Sequence, residues 1–469
     1  MPGQSDRGVT NNGVMNNIMR DGIMGRAAVQ EPDSGQAGGR IARALRPGVS
    51  RREFWAWAMY DFANSGYTTV VLTTVFNAYF VAVVAQGASW ATLVLTGALS
   101  LSYLAIMISM PALGILADAR AAKRRLLFLS TAACVLATVA LMAAQPGRVV
   151  IALAALGISN YFYCMGESLI AAFLPGIARA ETLGRVSGWG WGWGYFGGML
   201  TLGLSLVVVS QAEARGLPAT QYVPWVMALT ALIFALAAIP SMLWLKERST
   251  PQALRSGAAS ARLGRLWLAW QHTGRHYPDL RRLYVCGACY HAGIAVVITL
   301  AAVYASQVMG FSMSQTMVLI FAVNIGAALG AIGFGHVQDR IGHRVALAIT
   351  LLGWLLMVVL AAAAREVWVF WLAAVLAGLC MGTSQSAGRA MVGALAPPDR
   401  PAEHYALWTF AIQLAAVVGP LFYGLVTWAT AGQHRLALLC TGLFFVAGLL
   451  VLARIDFERG RHAVQDHMP

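Results

Sequence analysis

Beyond residue 53 the chain alternates between apolar stretches long enough to cross a bilayer and short polar breaks. About 20 apolar residues span membrane hydrocarbon when helical. Such stretches recur at 54–84, 90–116, 126–144, 149–174, 186–210, 223–245, 283–308, 315–336, 345–364, 367–395, 405–430 and 434–454. Within hydrocarbon no water is at hand for a backbone amide, so each stretch is expected to close its own hydrogen bonds as a helix. The pattern predicts an all-α integral membrane protein of twelve transmembrane helices. The longest internal polar break divides them six and six, which gives a tail at 1–52, a bundle at 53–245, a linker at 246–282, a second bundle at 283–455 and a short tail at 456–469.

The breaks carry information of their own. Residues 1–50 are rich in Gly, Asn, Arg and Gln without an apolar run, so they read as a disordered tail and not as a signal peptide. In the linker, Leu263, Leu266, Trp267 and Trp270 form a helical stripe beside Arg262 and Arg265. That arrangement suits either an amphipathic helix on the membrane surface or a plain tether. Of 33 basic residues, only Arg148, Arg215, Arg365, Arg435 and the intrahelical Arg389 lie away from the side that would hold both termini. By the positive-inside rule both termini are cytoplasmic, and a bacterial-type inner membrane is the expected location.

Composition agrees with this picture. Hydrophobic residues make up 58% and charged residues 11%, where a soluble domain carries about a quarter charged. Topology and contact with anionic lipid account for the formal charge of +14, which removes the case for nucleic-acid binding. All six cysteines fall in apolar stretches and read as small buried hydrophobes. Cys286-x-x-Cys289 has a redox or metal spacing, but no second pair completes a site, so neither metal nor cofactor is expected.

Charge inside a span needs a use, because it is expensive there. Away from segment ends the spans hold Asp61, Glu167, His291 and Arg389, in the first, fourth, seventh and tenth stretches. These are the leading helices of four three-helix units, and all four groups fall roughly 10–12 Å inside the inner boundary. Asn64 and Thr68 follow Asp61 at i+3 and i+7, Gln385 precedes Arg389 by one turn, and Asn160 precedes Glu167 by two. Together they predict a wet cavity for a small-molecule substrate and for protons. Structural alternatives stay open: Glu167 with Arg389 as a fixed ion pair, Asp61 to Gly66 as a kink, His291 as an interior hydrogen-bonded residue.

Glycines and loops complete the pattern. Gly190, Gly194 and Gly198, with Gly188 and Gly192, repeat at the four-residue spacing that lets helices cross closely, and Gly419-Pro420 reads as a hinge. After the second stretch comes Gly114, Asp118 and Arg120 followed by Lys123-Arg124-Arg125. After the eighth comes Gly335, Asp339, Arg340, Gly342 and Arg344. In each copy the Gly permits close approach, and the Asp can cap a neighbouring helix and pair with a base.

The second copy resembles the signature loop of the major facilitator superfamily, and the first a degraded form of it. More narrowly, the chain resembles the vacuole-effluxer family, named for fungal exporters of neutral amino acids. Four stretches carry the likeness: Trp57 to Ser65, Arg185 to Gly198, Gln385 to Arg389, and Gly419-Pro420. Ala171 stands where the family usually has Asn, and His291-Ala292-Gly293 where a polar-acidic pair is common. The resemblance implies two pseudo-symmetric six-helix bundles, the major facilitator fold, with helices 1, 4, 7 and 10 lining the cavity. The buried carboxylates point to proton-coupled secondary transport by alternating access, and with Arg389 they suit an amino acid or related zwitterion, with a drug-like cation as the rival cargo. The family name favours efflux, though a symporter uses the same parts. No Gly-x-x-x-x-Gly-Lys-Ser/Thr loop for an ATP motor occurs. The chain is expected to act as a monomer among membrane lipids, and not as an enzyme, since His291 with Asp61 is thin material for catalysis. A non-transporting sensor is the third class.

Overall fold

The computed structural model describes residues 39–248, 262–311 and 313–466. Among the described residues, those from Ala44 onward form one compact unit that holds every span. Twelve helices long and apolar enough to cross a membrane are present among the described residues. They are α1 Arg51–Val84, α2 Ala91–Ala119, α3 Lys123–Ala143, α4 Val149–Ile177, α5 Leu183–Ala214, α6 Ala219–Trp244, α7 Pro278–Met309, α8 Met313–Ile341, α9 His343–Ala363, α10 Val367–Leu395, α11 Pro401–Ala429 and α12 His434–Leu452. Large apolar side chains such as Leu93, Val150, Trp225, Leu329, Leu421 and Trp428 stand exposed around the bundle. So much bare hydrocarbon is unsustainable in water and natural against acyl chains.

The helices pack in a repeated pattern. In the first half α1 packs on α5 and α6, α4 on α2 and α3, and α3 on α6. In the second half α7 packs on α11 and α12, α10 on α8 and α9, and α9 on α12. Adding six to each number converts one list into the other. The halves meet through α5 with α8 and, equivalently, α2 with α11; α10 adds a contact with α5.

Glycine makes α5 the shared pillar. On one face, a Cβ at Gly190 would lie 2.6 Å from Asp61 Oδ2, one at Gly194 would lie 3.1 Å from the Asp61 carbonyl oxygen, and one at Gly198 would lie 2.8 Å from Thr69 Oγ1. These contacts seat α5 on α1. On another face Gly184, Gly188 and Gly192 meet Asp339, the Ala331 carbonyl and Ile332, all of α8. Small residues at this spacing let backbones meet where lipid gives apolar side chains no reason to associate.

Each half also clasps its first helix to the segment after its last. Glu53, in the first turn of α1, receives both terminal nitrogens of Arg248, which follows α6. Asp279, in the first turn of α7, receives Arg459 Nε and Nη2 at 2.7 and 2.6 Å, as well as Arg282.

Several expectations change at the segment ends. The disordered tail assigned to 1–52 lies outside the described residues up to 38. From Arg40 the chain is ordered: Arg40–Ala44 is a short helix, and Leu45 bridges Ala178 while Arg179 Nε donates to its carbonyl. The helix expected in the linker exists as Arg262–His276. The side chains of Leu263, Leu266 and Trp267 lie outside the described residues. Ala269 and Thr273 are buried, and the helix packs on α2 and α7, so it is held by protein on one face. The second bundle begins at Pro278, inside the expected linker. The final tail contains a helix, Phe457–Asp466, against α7 and α10. Helix α11 runs unbroken through Gly419-Pro420. Gly419 is a contact point there, since a Cβ would stand 2.9 Å from the Ala292 carbonyl carbon of α7.

Candidate functional site

Between the halves lies a cavity of about 450 Å³. At its floor it brings together Asp61, Glu167, His291 and Arg389, joined on the wall by Asn64, Thr68 and Gln385. From there it extends past Thr73, Tyr304, Phe370 and Tyr423, away from the end at which α1 begins and α12 finishes, the termini end. Asn160 is a correction. Fully buried, it donates from Nδ2 to Ser102 Oγ of α2 at 2.6 Å and does not line the cavity. Two turns from Glu167 on a straight helix should share its face, but the turn at Asn160 is already sunk between α4 and α2.

Arg389 is the centre of the floor. Its Nη1 donates to both Asp61 carboxylate oxygens, at 3.0 and 2.8 Å. Nε donates to Ser187 Oγ at 3.0 Å and Nη2 to the Ser187 carbonyl at 2.9 Å. The Trp57 and Trp191 rings approach its guanidinium carbon at 4.7 and 5.4 Å. One side chain from α10 thus holds α1 and α5 of the other half, and at 5% exposure it is held dry. A fixed Glu167–Arg389 pair, one of the sequence alternatives, is therefore excluded in this conformation. Asp61 occupies the guanidinium instead, because Gly190 lets α5 and α1 close beside it. Glu167 faces Asp61 and Arg389 and is engaged by the Tyr163 side chain one turn earlier on α4, with no ion-pair partner among the described residues.

The remaining floor groups differ in how well they are satisfied. Tyr195 of α5 donates to Gln385 Oε1 at 2.5 Å, a second link between the halves. His291 lies against the rings of Tyr290 and Trp408, at 4.6 and 5.6 Å between centroids, with Nε2 buried and unbonded. The kink left open as an alternative at Asp61 to Gly66 is absent, as that segment is regular α-helix. Helix α1 loosens one turn later, into π-helix at Thr68–Thr74, a geometry common at functional sites. Thr68 Oγ1 donates to the Asn64 carbonyl at the boundary.

At the termini end the two loop motifs act on opposite halves. Asp118, closing α2, accepts from the Glu403 backbone N–H of α11 at 2.9 Å. Asp339, closing α8, accepts from the Gly184 and Arg185 N–H groups of α5 at 2.9 and 3.1 Å. Both carboxylates therefore sit on the positive N-terminus of a helix in the other half. Gly114 and Gly335 allow the approach: Cβ atoms there would meet the Ala402 carbonyl carbon at 2.9 Å and the Gly184 carbonyl oxygen at 2.7 Å. The bases differ from expectation. Lys123 and Arg185 pair with the two Asp residues, while Arg120 and Arg340 are exposed. Arg344 donates to the Ala453 carbonyl at 2.7 Å. Gly342, at φ +89°, supplies the left-handed turn into α9.

Sequence reasoning left open that one tryptophan of the Trp/Gly run reaches the cavity, and that one is Trp191. It did not single out Ser187 or Tyr195, because the run reads first as packing. It is both: the glycines pack, Trp191 and Tyr195 between them line the cavity, and Ser187 braces Arg389 from behind.

A twelve-helix bundle in two equivalent halves, with a charged central cavity and capped loops between helices 2–3 and 8–9, defines a transporter of the major facilitator superfamily. The chain belongs to the vacuole effluxer Atg22-like family, whose model matches residues 78–465. Of the four stretches carrying the resemblance, Trp57 to Ser65 precedes the matched segment. The chain is similar to the uncharacterised MFS-type transporter YxiO of Bacillus subtilis (strain 168), 24% identical over 420 residues, covering 86% of this chain and 94% of that one. It is 24% identical over 299 residues to Autophagy-related protein 22 of Cryptococcus neoformans var. neoformans serotype D (strain B-3501A), covering 60% and 54% of the two chains. The crystal structure of the human organic anion transporter MFSD10 (TETRAN) superposes with a TM-score of 0.68 at 16% identity, over 86% and 99%. The protein is thus an integral, multi-pass membrane transporter and not an enzyme.

Proposed function

We propose that the protein is a proton-coupled secondary transporter that exports a small amine-bearing solute, an amino acid or related zwitterion, by alternating access. The observation that carries this reading is the contrast between the two floor carboxylates. Asp61 is consumed by Arg389, whereas Glu167 lines the cavity with no ion-pair partner of its own among the described residues. A free carboxylate in a low-dielectric cavity takes either an ammonium group or a proton, and the two compete. Competition of that kind is antiport: a proton arriving from outside displaces the amine there, and its loss inside readies the site for the next solute. The driving force is about 2.3 kcal/mol per 100 mV and about 1.4 per pH unit.

The distribution of Lys and Arg supports a cytoplasmic termini end. On that assignment the described conformation is sealed inside by the Arg389, Asp118 and Asp339 contacts, and its cavity leads outward. The family description supports efflux. In the other half-cycle these contacts break and the outer walls of α1 and α7 close. The protein works as a monomer in this scheme, in the bacterial-type inner membrane.

Proteoliposomes with an imposed pH gradient test the reading with labelled L-norleucine. Accumulation against its gradient is expected in the unaltered protein, with protons competing for binding. Glu167→Gln should reduce accumulation at least about tenfold and abolish that competition. Unchanged gradient-driven accumulation in Glu167→Gln overturns the assignment. The apolar part of the cavity wall, including Ile294, Val297, Ile298 and Val323, favours a drug-like cation as second reading. Transport of n-pentylamine in preference to norleucine would select it.

A further inference from the structure

Four buried side-chain atoms of cavity-lining residues have no hydrogen-bond partner among the described residues: Asn64 Oδ1, Ser168 Oγ, Trp191 Nε1 and His291 Nε2. A buried polar atom left unpaired is unfavourable, and few occur in a native fold. Four around one chamber describe the complement of whatever enters it. Three of them, with Glu167, belong to the first half.

The second half is different. Its polar wall groups are largely already bonded: Gln385 accepts from Tyr195, Gln413 donates to Cys164 Sγ, Asn324 donates to the Ile320 carbonyl, and Tyr405 donates to the Arg389 carbonyl. What α7 and α8 leave facing the cavity is mainly aliphatic, including Ile294, Val297, Leu319 and Ile320. The division follows the halves themselves.

Resting on the amine-bearing solute of the preceding section, we infer that Trp191 and Asn64 are specificity-determining residues. Trp191 Nε1 donates to an acceptor on the solute, such as a carboxylate, Asn64 Oδ1 accepts from its ammonium group beside Glu167, and the second half takes the apolar remainder. Arg389 is a poor first carboxylate receptor in this conformation, since it is 5% exposed and Asp61 and Ser187 already engage each of its three nitrogens. It stands 5.4 Å from the Trp191 ring, so a carboxylate on the indole N–H still feels the positive end of that pair. A donor-only indole nitrogen also rejects a solute offering only a donor there.

The test compares L-norleucine with n-pentylamine, its decarboxylated counterpart, for binding to the purified full-length protein. Trp191→Phe keeps an aromatic ring but lacks the N–H. It is expected to weaken norleucine about tenfold and leave pentylamine within about twofold, with unfolding temperature unchanged. Trp191→His restores a ring N–H and should recover part of the loss for norleucine alone. Asn64→Leu should weaken both probes. Equal weakening of both probes by Trp191→Phe, or of neither, overturns the inference while leaving the amine reading intact. If neither probe binds the unaltered protein, the amine reading falls and this inference with it.

Discussion

Arg389→Gln is expected to lower stability by about 3–5 kcal/mol and to cut transport at least about a hundredfold, because it leaves Asp61 buried without its countercharge. Asp61 and Arg389 are 8% and 5% exposed, so water cannot substitute for either partner. Asp61→Asn should do nearly the same from the other side by stranding the guanidinium. The double variant separates structure from mechanism. With no buried charge left, its unfolding temperature should return most of the way to normal. Its flux should not, because the bonds from Arg389 to Ser187 across the halves are also gone. Thermal unfolding in detergent with proteoliposome counterflow checks all three. A double variant that transports normally would make the pair a packing detail.

The second large effect is steric. Gly188→Val places a Cβ against the Ala331 carbonyl of α8, a backbone atom that cannot turn aside. Overpacking typically destabilises by about 1–3 kcal/mol, and here the easiest relief is for α5 and α8 to part at the termini end, toward the opposite conformation. Cysteines placed at that end should become more reactive to water-soluble thiol reagents, and flux should fall about tenfold or more. Gly203→Val is the control on the same helix, since nothing lies within 4 Å of a Cβ there. It should transport nearly as the unaltered protein does.

How far the sequence carries can be judged from these residues. Asp61, Glu167, His291 and Arg389 are legible because membrane insertion penalises each, so four charges at one depth in helices 1, 4, 7 and 10 imply a shared chamber. Their pairing is not legible. Which carboxylate meets Arg389 depends on how closely α5 approaches α1, set by Gly190 and its neighbours in three dimensions. Asn160 shows the same limit, as helical periodicity gives relative angle but not how deeply a face is sunk. Asp118 and Asp339 are legible as caps, while the helices they cap, in opposite halves, follow only from the packing of α2 on α11 and α8 on α5. The ordered strap after Arg40 and the helix Phe457–Asp466 escape because short polar segments owe their order to docking partners and not to their own pattern.

The central claim is that the Arg389 bridge holds the termini end closed while the cavity opens at the other. Spin-label distances between Glu181→Cys and Ile341→Cys at one end, and between Gln86→Cys and Glu366→Cys at the other, test it most directly. All four positions are exposed, and the six native cysteines would be replaced. Adding Arg389→Gln should lengthen the first distance and shorten the second. If both distributions stay as they are in its presence, the bridge does not hold this conformation and the account fails.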